Sequence, residues 1–341
     1  MAAIGRATRT IVRAARVGEG ALVAALWREL WDVHERWGGY PGSRDPRVYA
    51  ELGARLDDDA RVRAGHPTLG RHVHLVAEHN GVLCGQVEGW LDQHGTDAST
   101  PLSCDVRSLI VASRARGAGI GRELLSALAA ATRTKQALSV LAAEVLEPNP
   151  AHVFYARVGY TPVSWSARMS AVATARTAGG LTARLAAPAD ALAIACLEST
   201  LADRRRAAGD ARFDRPRAID ATTLAAIAAH LATDAATHDP ATMVTVDSNG
   251  AVLGVASFTV HVLEPPFLPM RRALVGRFAL DPASPVFPLF APLVTLGCRM
   301  AAAQGAEHVE VTDLSGPGTD LYNAALASGA EPWSRVVTRF A

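Results

Sequence analysis

The sequence predicts a layered α/β (α+β) fold made twice, as two tandem domains that each hold a mixed central sheet flanked by helices. Three observations predict it. Alternating strand patterns and 3.6-period helical patterns interleave around a strand, a glycine-rich turn and a helix in the first half. Landmarks of the first half return in the second at a nearly constant distance of 169–171 positions. The 341 residues match two domains of about 100–200 residues each.

The landmarks run in order. Arg13 opens a strand-then-helix segment reaching Glu19, and Arg184 opens a similar one reaching Asp190. Asn80-Gly81, between apolar runs, returns as Asn249-Gly250. Asn-Gly favours a two-residue hairpin turn, because both positions accept φ > 0. Gly85 returns as Gly254, Val111 as Leu280 and Gly159 as Gly329. Alanine-rich composition alone does not produce ordered, evenly spaced marks, so they point to duplication. The small, glycine-rich stretch Thr177-Ala178-Gly179-Gly180 sets the boundary, giving domains 1–175 and 176–341. In the first copy the patterns place strands at 10–16, 73–78, 82–91, 105–111 and 140–145. Helices are expected at 19–37, to about 64 after the polar stretch 38–45, at 119–132 and at 150–158.

Composition narrows the function classes. Hydrophobic residues make up 49% of the chain, enough for two cores. The net charge of +1 gives no electrostatic footprint for nucleic acid or a membrane surface, and neither partner is expected. Cys84, Cys104, Cys196 and Cys298 lie far apart without a CxxC, which indicates neither a disulfide framework nor zinc. Reduced thiols and a cytoplasmic location follow as expectations. Arg13, Arg16 and Glu19 interrupt any apolar leader, and no uninterrupted apolar run approaches the ~20 residues of a membrane span. His72 and His74 alternate on a strand without further ligands in view, so no metal is expected.

The chemistry is concentrated in Ser108 to Leu125: an apolar strand, the turn Arg114-Ala115-Arg116-Gly117-Ala118-Gly119-Ile120-Gly121-Arg122, and a helix with Leu124, Leu125 and Leu128 at apolar spacing. Glycines turn the backbone sharply and expose its N–H groups. The helix start adds unpaired donors and the positive end of its dipole. Together these cradle a phosphate or diphosphate, and Arg114, Arg116 and Arg122 add charge that a plain turn does not need. A P-loop requires Gly-Lys-Ser/Thr, whereas this turn reads Gly121-Arg122-Glu123. A Rossmann fingerprint requires GxGxxG and an acid about 20 residues on, whereas the spacing here is GxGxG and 137–143 holds no acid. Arg116, Gly119 and Gly121 satisfy R-x-x-G-x-G, after a strand that alternates at Leu109 and Val111.

This pattern resembles the acetyl-CoA loop of the GNAT superfamily. A second segment, Glu147-Pro148-Asn149-Pro150-Ala151 through Tyr155 to Gly159-Tyr160, looks like the GNAT motif that follows the next strand. The resemblance covers about 10–169 well and the second copy in outline. It implies two splayed parallel strands, near 105–111 and 140–145, with a pantetheine arm between them. Leu109, Ile110, Val111, Arg116, Gly117, Ala118, Gly119, Ile120, Gly121, Arg122, Asn149 and Tyr155 are then cofactor-binding residues. A backbone N–H near Val111 polarises the thioester carbonyl, and Tyr155 acts as general acid toward the leaving thiolate. Asp105 sits six residues before Val111, where histone-type members carry a catalytic glutamate, and strand alternation would turn it to the same side as Val111. Glu88, Glu144 and Glu147 are the alternatives for the base. Trp27, Trp31, Trp37 and Tyr40, with His34, form either an aromatic acceptor wall or an amphipathic face packed into the core.

The second copy lacks the loop. Pro285, Pro288 and Phe290 stand where Arg116, Gly119 and Gly121 are expected, and proline has no N–H to offer a phosphate. Ala325 stands in the place of Tyr155. The sequence therefore reads as an acetyl-CoA-dependent N-acyltransferase for a small-molecule or peptide amine, active in its first half. It is expected to be a monomer with an internal pseudo-dimer, or a homodimer. A non-catalytic acyl-CoA sensor, and an acyltransferase with another acyl group or a hydroxyl acceptor, are the alternatives.

Overall fold

The computed structural model describes residues 10–65, 72–93, 102–133, 138–172, 180–210, 219–237 and 240–340. The expected boundary at 175/176 lies outside them. The first half comprises β1 (Thr10–Ala14), α1 (Gly20–Arg36), α2 (Pro46–Gly65), β2 (His72–His79), β3 (Val82–Gln93), β4 (Leu102–Val111), α3 (Ile120–Arg133), β5 (Leu138–Leu146), α4 (Ala151–Arg157) and β6 (Thr161–Ser170). The second repeats this order as β7 (Thr182–Leu185), α5 (Ala191–Ala207), α6 (Ala221–Thr237), β8 (Ala241–Val246), β9 (Val252–Val262), β10 (Arg271–Leu280), α7 (Val286–Ala303), β11 (His308–Leu314), α8 (Asp320–Ala327) and β12 (Glu331–Phe340). Every strand and helix of the first half thus has its counterpart in the second.

Local chemistry explains the element ends. Proline opens α2, where its missing N–H costs nothing, and the Asp45 carboxylate caps it by accepting from the Arg47 amide at 2.9 Å. The start of α1 is capped from α2: Asp57 accepts from the amides of Gly18 and Gly20 at 2.8 and 2.9 Å. The two helices cross so closely that a Cβ on Gly20 would lie 2.0 Å from the Gly53 carbonyl oxygen. Arg13 grips Glu19 and Arg184 grips Asp190, so each half ties its first strand to its first helix by the same ion pair. Asn80 (φ 53°) and Gly81 (φ 78°) form the expected two-residue turn. The second Asn-Gly does not. There β8 stops at Val246, and the Asp247 carboxylate collects the amides of Asn249 and Ala251 into a wider loop in which only Gly250 has positive φ.

The twelve strands of the described residues form one sheet in the order β1-β2-β3-β4-β5-β12-β6-β11-β10-β9-β8-β7. The last strand of each half has crossed into the other. β12 pairs antiparallel with β5 and β6 with β11, and the two exchanged strands pair with each other at the centre. In each half the one parallel pair also parts midway. β4 and β5 stay paired to Val106 and Ala143, β10 and β11 to Val275 and Val311. Beyond those points each strand follows its other neighbour, leaving two V-shaped openings in equivalent places.

One face of the sheet carries α3 and α7. A Cβ on Gly85 would meet Leu124 and Ile120 of α3, and one on Gly254 would meet Leu293 of α7. The other face carries α1 and α2 in the first half and α5 and α6 in the second. Met243 belongs to the cluster under α7, while its neighbours Val244 and Val246 pack with Ile194 and Leu231 of α5 and α6. By length and composition α7 is apolar enough to cross a membrane; here it is the core helix of the second half, with Phe290, Leu293 and Val294 fully buried.

Candidate active site

The glycine turn lies at the mouth of the first V. A short 3₁₀ turn (Ser113–Ala115) leads from β4 into it, and α3 starts at Ile120. Gly117 and Gly119 have φ of 86° and 82°, which side chains with a Cβ rarely adopt. Helical bonding begins only where Arg122 and Glu123 donate to the Gly119 carbonyl at 3.0 and 3.1 Å, so among the described residues no hydrogen bond engages the amides of Gly117 to Gly121. Ile120 is buried beneath the turn while Gly117 and Ala118 are exposed. The Arg122 guanidinium lies above Gly119, within 3.8 Å of where its Cβ would be. Arg116 is half exposed and braces the turn: its Nε donates to the Val111 carbonyl at 3.0 Å, and its guanidinium lies 3.6 Å from Glu29 of α1. Glu29 also accepts from the Ser113 amide at 2.6 Å. This cluster of uncommitted donors under guanidinium charge fits an anionic phosphate ligand.

Leu109, Ile110 and Val111 lie on the part of β4 that has left β5, so that edge of the strand has no strand opposite it. α4 closes the far side. Asn149 caps it, its side-chain oxygen accepting from the Ala151 amide at 2.9 Å. Phe154 packs where a Cβ on Gly121 would stand 3.2 Å from its ring, joining α4 to the start of α3. Tyr155 is 7% exposed, its ring edge-on to Tyr160 at 5.1 Å, and its hydroxyl has no hydrogen-bond partner among the described residues. Burial, with Tyr160 adding, holds its phenol far above the ordinary range, so it carries its proton at neutral pH. The exchanged strand supports this end: Arg339 of β12 donates to the Val158 carbonyl at 2.9 Å.

Asp105 does not face the side of Val111. β4 bulges at Arg107, opposite the Glu88–Gly89 step, so alternation reverses there. Val111 pairs with Gly85 on the α3 face, whereas Asp105 pairs with Trp90 on the opposite face. That face also holds Glu88, one strand from where β4 and β5 part. It is 8% exposed at the end of a buried polar chain. His74 Nε2 meets Gln86 Oε1 at 2.7 Å, Gln86 Nε2 donates to Ser108 Oγ at 2.9 Å, and the Ser108 hydroxyl hydrogen-bonds Glu88. Burial pushes the Glu88 carboxyl up to about 7 despite Ser108, Arg55 and Arg63, with Asp59 adding to the rise. His74, desolvated and near Arg63, is held down to about 4 and stays neutral. The other two alternatives are engaged by β12: Glu147 pairs with Arg335, and Glu144, on the surface, accepts from Ser334 at 2.5 Å. Sequence spacing had only included Glu88 among three alternatives. The available signal was a run of polar residues, His74, Gln86 and Glu88, turned inward from strands with apolar neighbours.

The aromatic segment of α1 packs against the second half. The Trp31 ring meets Phe267 at 4.0 Å, and buried Tyr40 donates to Glu310. The Ser43 amide donates to Pro266 at 2.7 Å and the Leu268 amide to Pro41 at 3.0 Å. The loop between α1 and α2 is thereby fastened to the loop between β9 and β10.

The duplicated mixed sheet is shared with solved proteins. Residues 70–162 match the family model described as an acetyltransferase (GNAT) domain. A tandem GNAT protein from the clavulanic acid biosynthesis pathway shares the fold at 16% identity and a TM-score of 0.52, over 97% of this chain and 98% of that one. A GCN5-related N-acetyltransferase from Sphaerobacter thermophilus does so at 13% and 0.58, over 97% and 95%. Sequence comparison with curated proteins finds no match. The first half thus carries a match to a GNAT acetyltransferase domain, and the whole chain shares its duplicated fold with a tandem GNAT protein.

Proposed function

We propose that this protein is an acetyl-CoA-dependent N-acyltransferase that acetylates an amine of a small molecule or peptide, with its active site in domain 1–175 and with 176–341 as a degenerate partner. The observation that carries the reading is the row of uncommitted amides from Gly117 to Gly121 beside parted strands in the first half. Pro285 and Pro288 offer no such donors in the second.

Acetyl-CoA supplies an activated thioester. The turn and Arg122 hold its diphosphate, the free edge of β4 near Leu109 to Val111 takes its amide arm by strand-like hydrogen bonds, and Asn149 orders the start of α4 beside it. Tyr155 holds the proton that the departing sulfur takes. The amine gives up its proton to a carboxylate on the α1 and α2 face. Glu88 suits that step better than Asp105, because its carboxyl sits near neutrality and the Ser108 hydroxyl orients it. No metal takes part in this scheme. A cytoplasmic location and a monomer with its pseudo-dimer interface inside the chain belong to the same reading.

The test is thiol release from acetyl-CoA across an amine panel. Tyr155→Phe is expected to lower kcat about 10²-fold or more while leaving coenzyme A affinity near wild type. Arg116→Ala is expected to weaken coenzyme A binding. Unchanged turnover in both variants refutes the assignment, and tight coenzyme A binding without acceptor-dependent turnover favours a sensor.

A further inference from the structure

The second V is not filled. Where β10 and β11 part beyond Val275 and Val311, a cavity of about 300 Å³ remains. Its walls are mainly apolar, from Trp165 of the exchanged β6, Phe278 and Leu280 of β10, Leu201 of α5 and Leu321 of α8. The paired Arg205 and Asp210, with Ser315, supply the polar part. At its rim stands Arg204, whose guanidinium makes no ion pair or hydrogen bond among the described residues. The neighbouring Arg205 is committed, donating to the Asp313 carbonyl at 2.5 Å and lying 3.7 Å from Asp210.

The backbone around the opening is held in an unusual state. Of the three described non-glycine residues with positive φ, Asn80 serves a hairpin, and Arg277 (φ 54°) and Asp313 (φ 60°) face each other across this parting. The Arg277 amide donates to the Asp313 carboxylate at 3.3 Å. Such conformations persist where the surroundings over-determine them, and they cluster at ligand sites.

We propose that this cavity is a second small-molecule site, for an amphipathic carboxylate with an apolar body against Trp165, Phe278 and Leu321 and its anionic head at Arg204. A coenzyme suits this opening less well: Pro285 and Pro288 remove two of the amides a diphosphate turn would use, those of Ala283 and Ser284 are committed to Asp281, and no arginine stands in the place of Arg116. At about 30 Å³ per water-sized group the space takes roughly ten non-hydrogen atoms, the size of octanoate. It lies at the lower end of the volumes that small-molecule sites show.

The test uses the full chain with sodium octanoate, followed by calorimetry and thermal unfolding, with octanol as the uncharged control. Octanoate is expected to bind at one site per chain and to raise Tm, and octanol to bind more weakly. Arg204→Gln, a surface change that leaves the walls intact, is expected to weaken octanoate about tenfold and octanol little. Leu321→Trp, or Leu201→Trp from the opposite wall, is expected to fill the space and abolish both. No binding of octanoate, or equal affinity in wild type and all three variants, overturns the proposal. The readout needs neither acetyl-CoA nor an acceptor, so its failure leaves the reading of the first half standing.

Discussion

Glu88 sits in conflict between burial and charge, and the conflict has a measurable sign. Its carboxyl is raised from 4.5 to about 7, so the folded state holds a proton there that the unfolded chain has released. That contribution is fully present below about pH 4.5 and is lost as pH rises through about 7. Glu88→Gln is therefore expected to match wild type near pH 4.5 and to exceed it above pH 7, by on the order of 3 kcal/mol, read from urea midpoints at both pH values. A deficit of the same size at both pH values contradicts the assignment. His72 and His74 work in the opposite sense, held down to about 3 and about 4, and lose stability as pH falls below 6.5. The variant must be compared with wild type at each pH to isolate Glu88. In turnover, the same variant is expected to lose the rise of kcat/KM near pH 7 and about 10²–10⁴-fold in rate. The placement of Tyr155 and the glycines was legible in the sequence because it depends on spacing within one turn or helix. The side that Asp105 faces was not, since one inserted residue, Arg107, reverses the strand and leaves no trace in composition.

Elements were legible where their punctuation is local. Asn80-Gly81, Pro46 and the glycines before α3 all fall where their backbone preferences put them. Asn249-Gly250 carries the same letters but forms a different loop, because the Asp247 carboxylate competes for the amides. For the turn before α3, Gly119→Val is expected to cost about 1–3 kcal/mol in that left-handed position. The cost should appear mainly as weaker coenzyme A binding, because no core atom packs there. Titration calorimetry beside a melting curve separates the two. A large drop in Tm with unchanged affinity assigns the turn a purely structural role.

The duplication was readable across the whole molecule, but the exchange of its last strands was not. A repeat shows which segments correspond, not which copy each one pairs with, and β6 and β12 have the same alternating character in either place. The exchange predicts that the halves do not separate. A fragment of residues 1–175 leaves the β5 edge bare and β6 without β11 or β12, and an exposed edge invites pairing with another chain. It is expected to aggregate or to dimerise by placing its own β6 beside the β5 of a second copy. Sedimentation that shows a folded monomer contradicts this. The full chain is expected to unfold in one calorimetric transition, whereas two well-separated transitions would assign the halves independent stability.

The central seam also sets an order of events during synthesis. Segments near the start of a chain usually fold while the rest is still emerging, yet the sixth place in the first half's sheet is reserved for residues 331–340. The ribosome therefore makes the glycine turn, α4 and Tyr155 well before the strand that braces them exists, and the nascent protein must carry an open seam while residues 171–330 are translated.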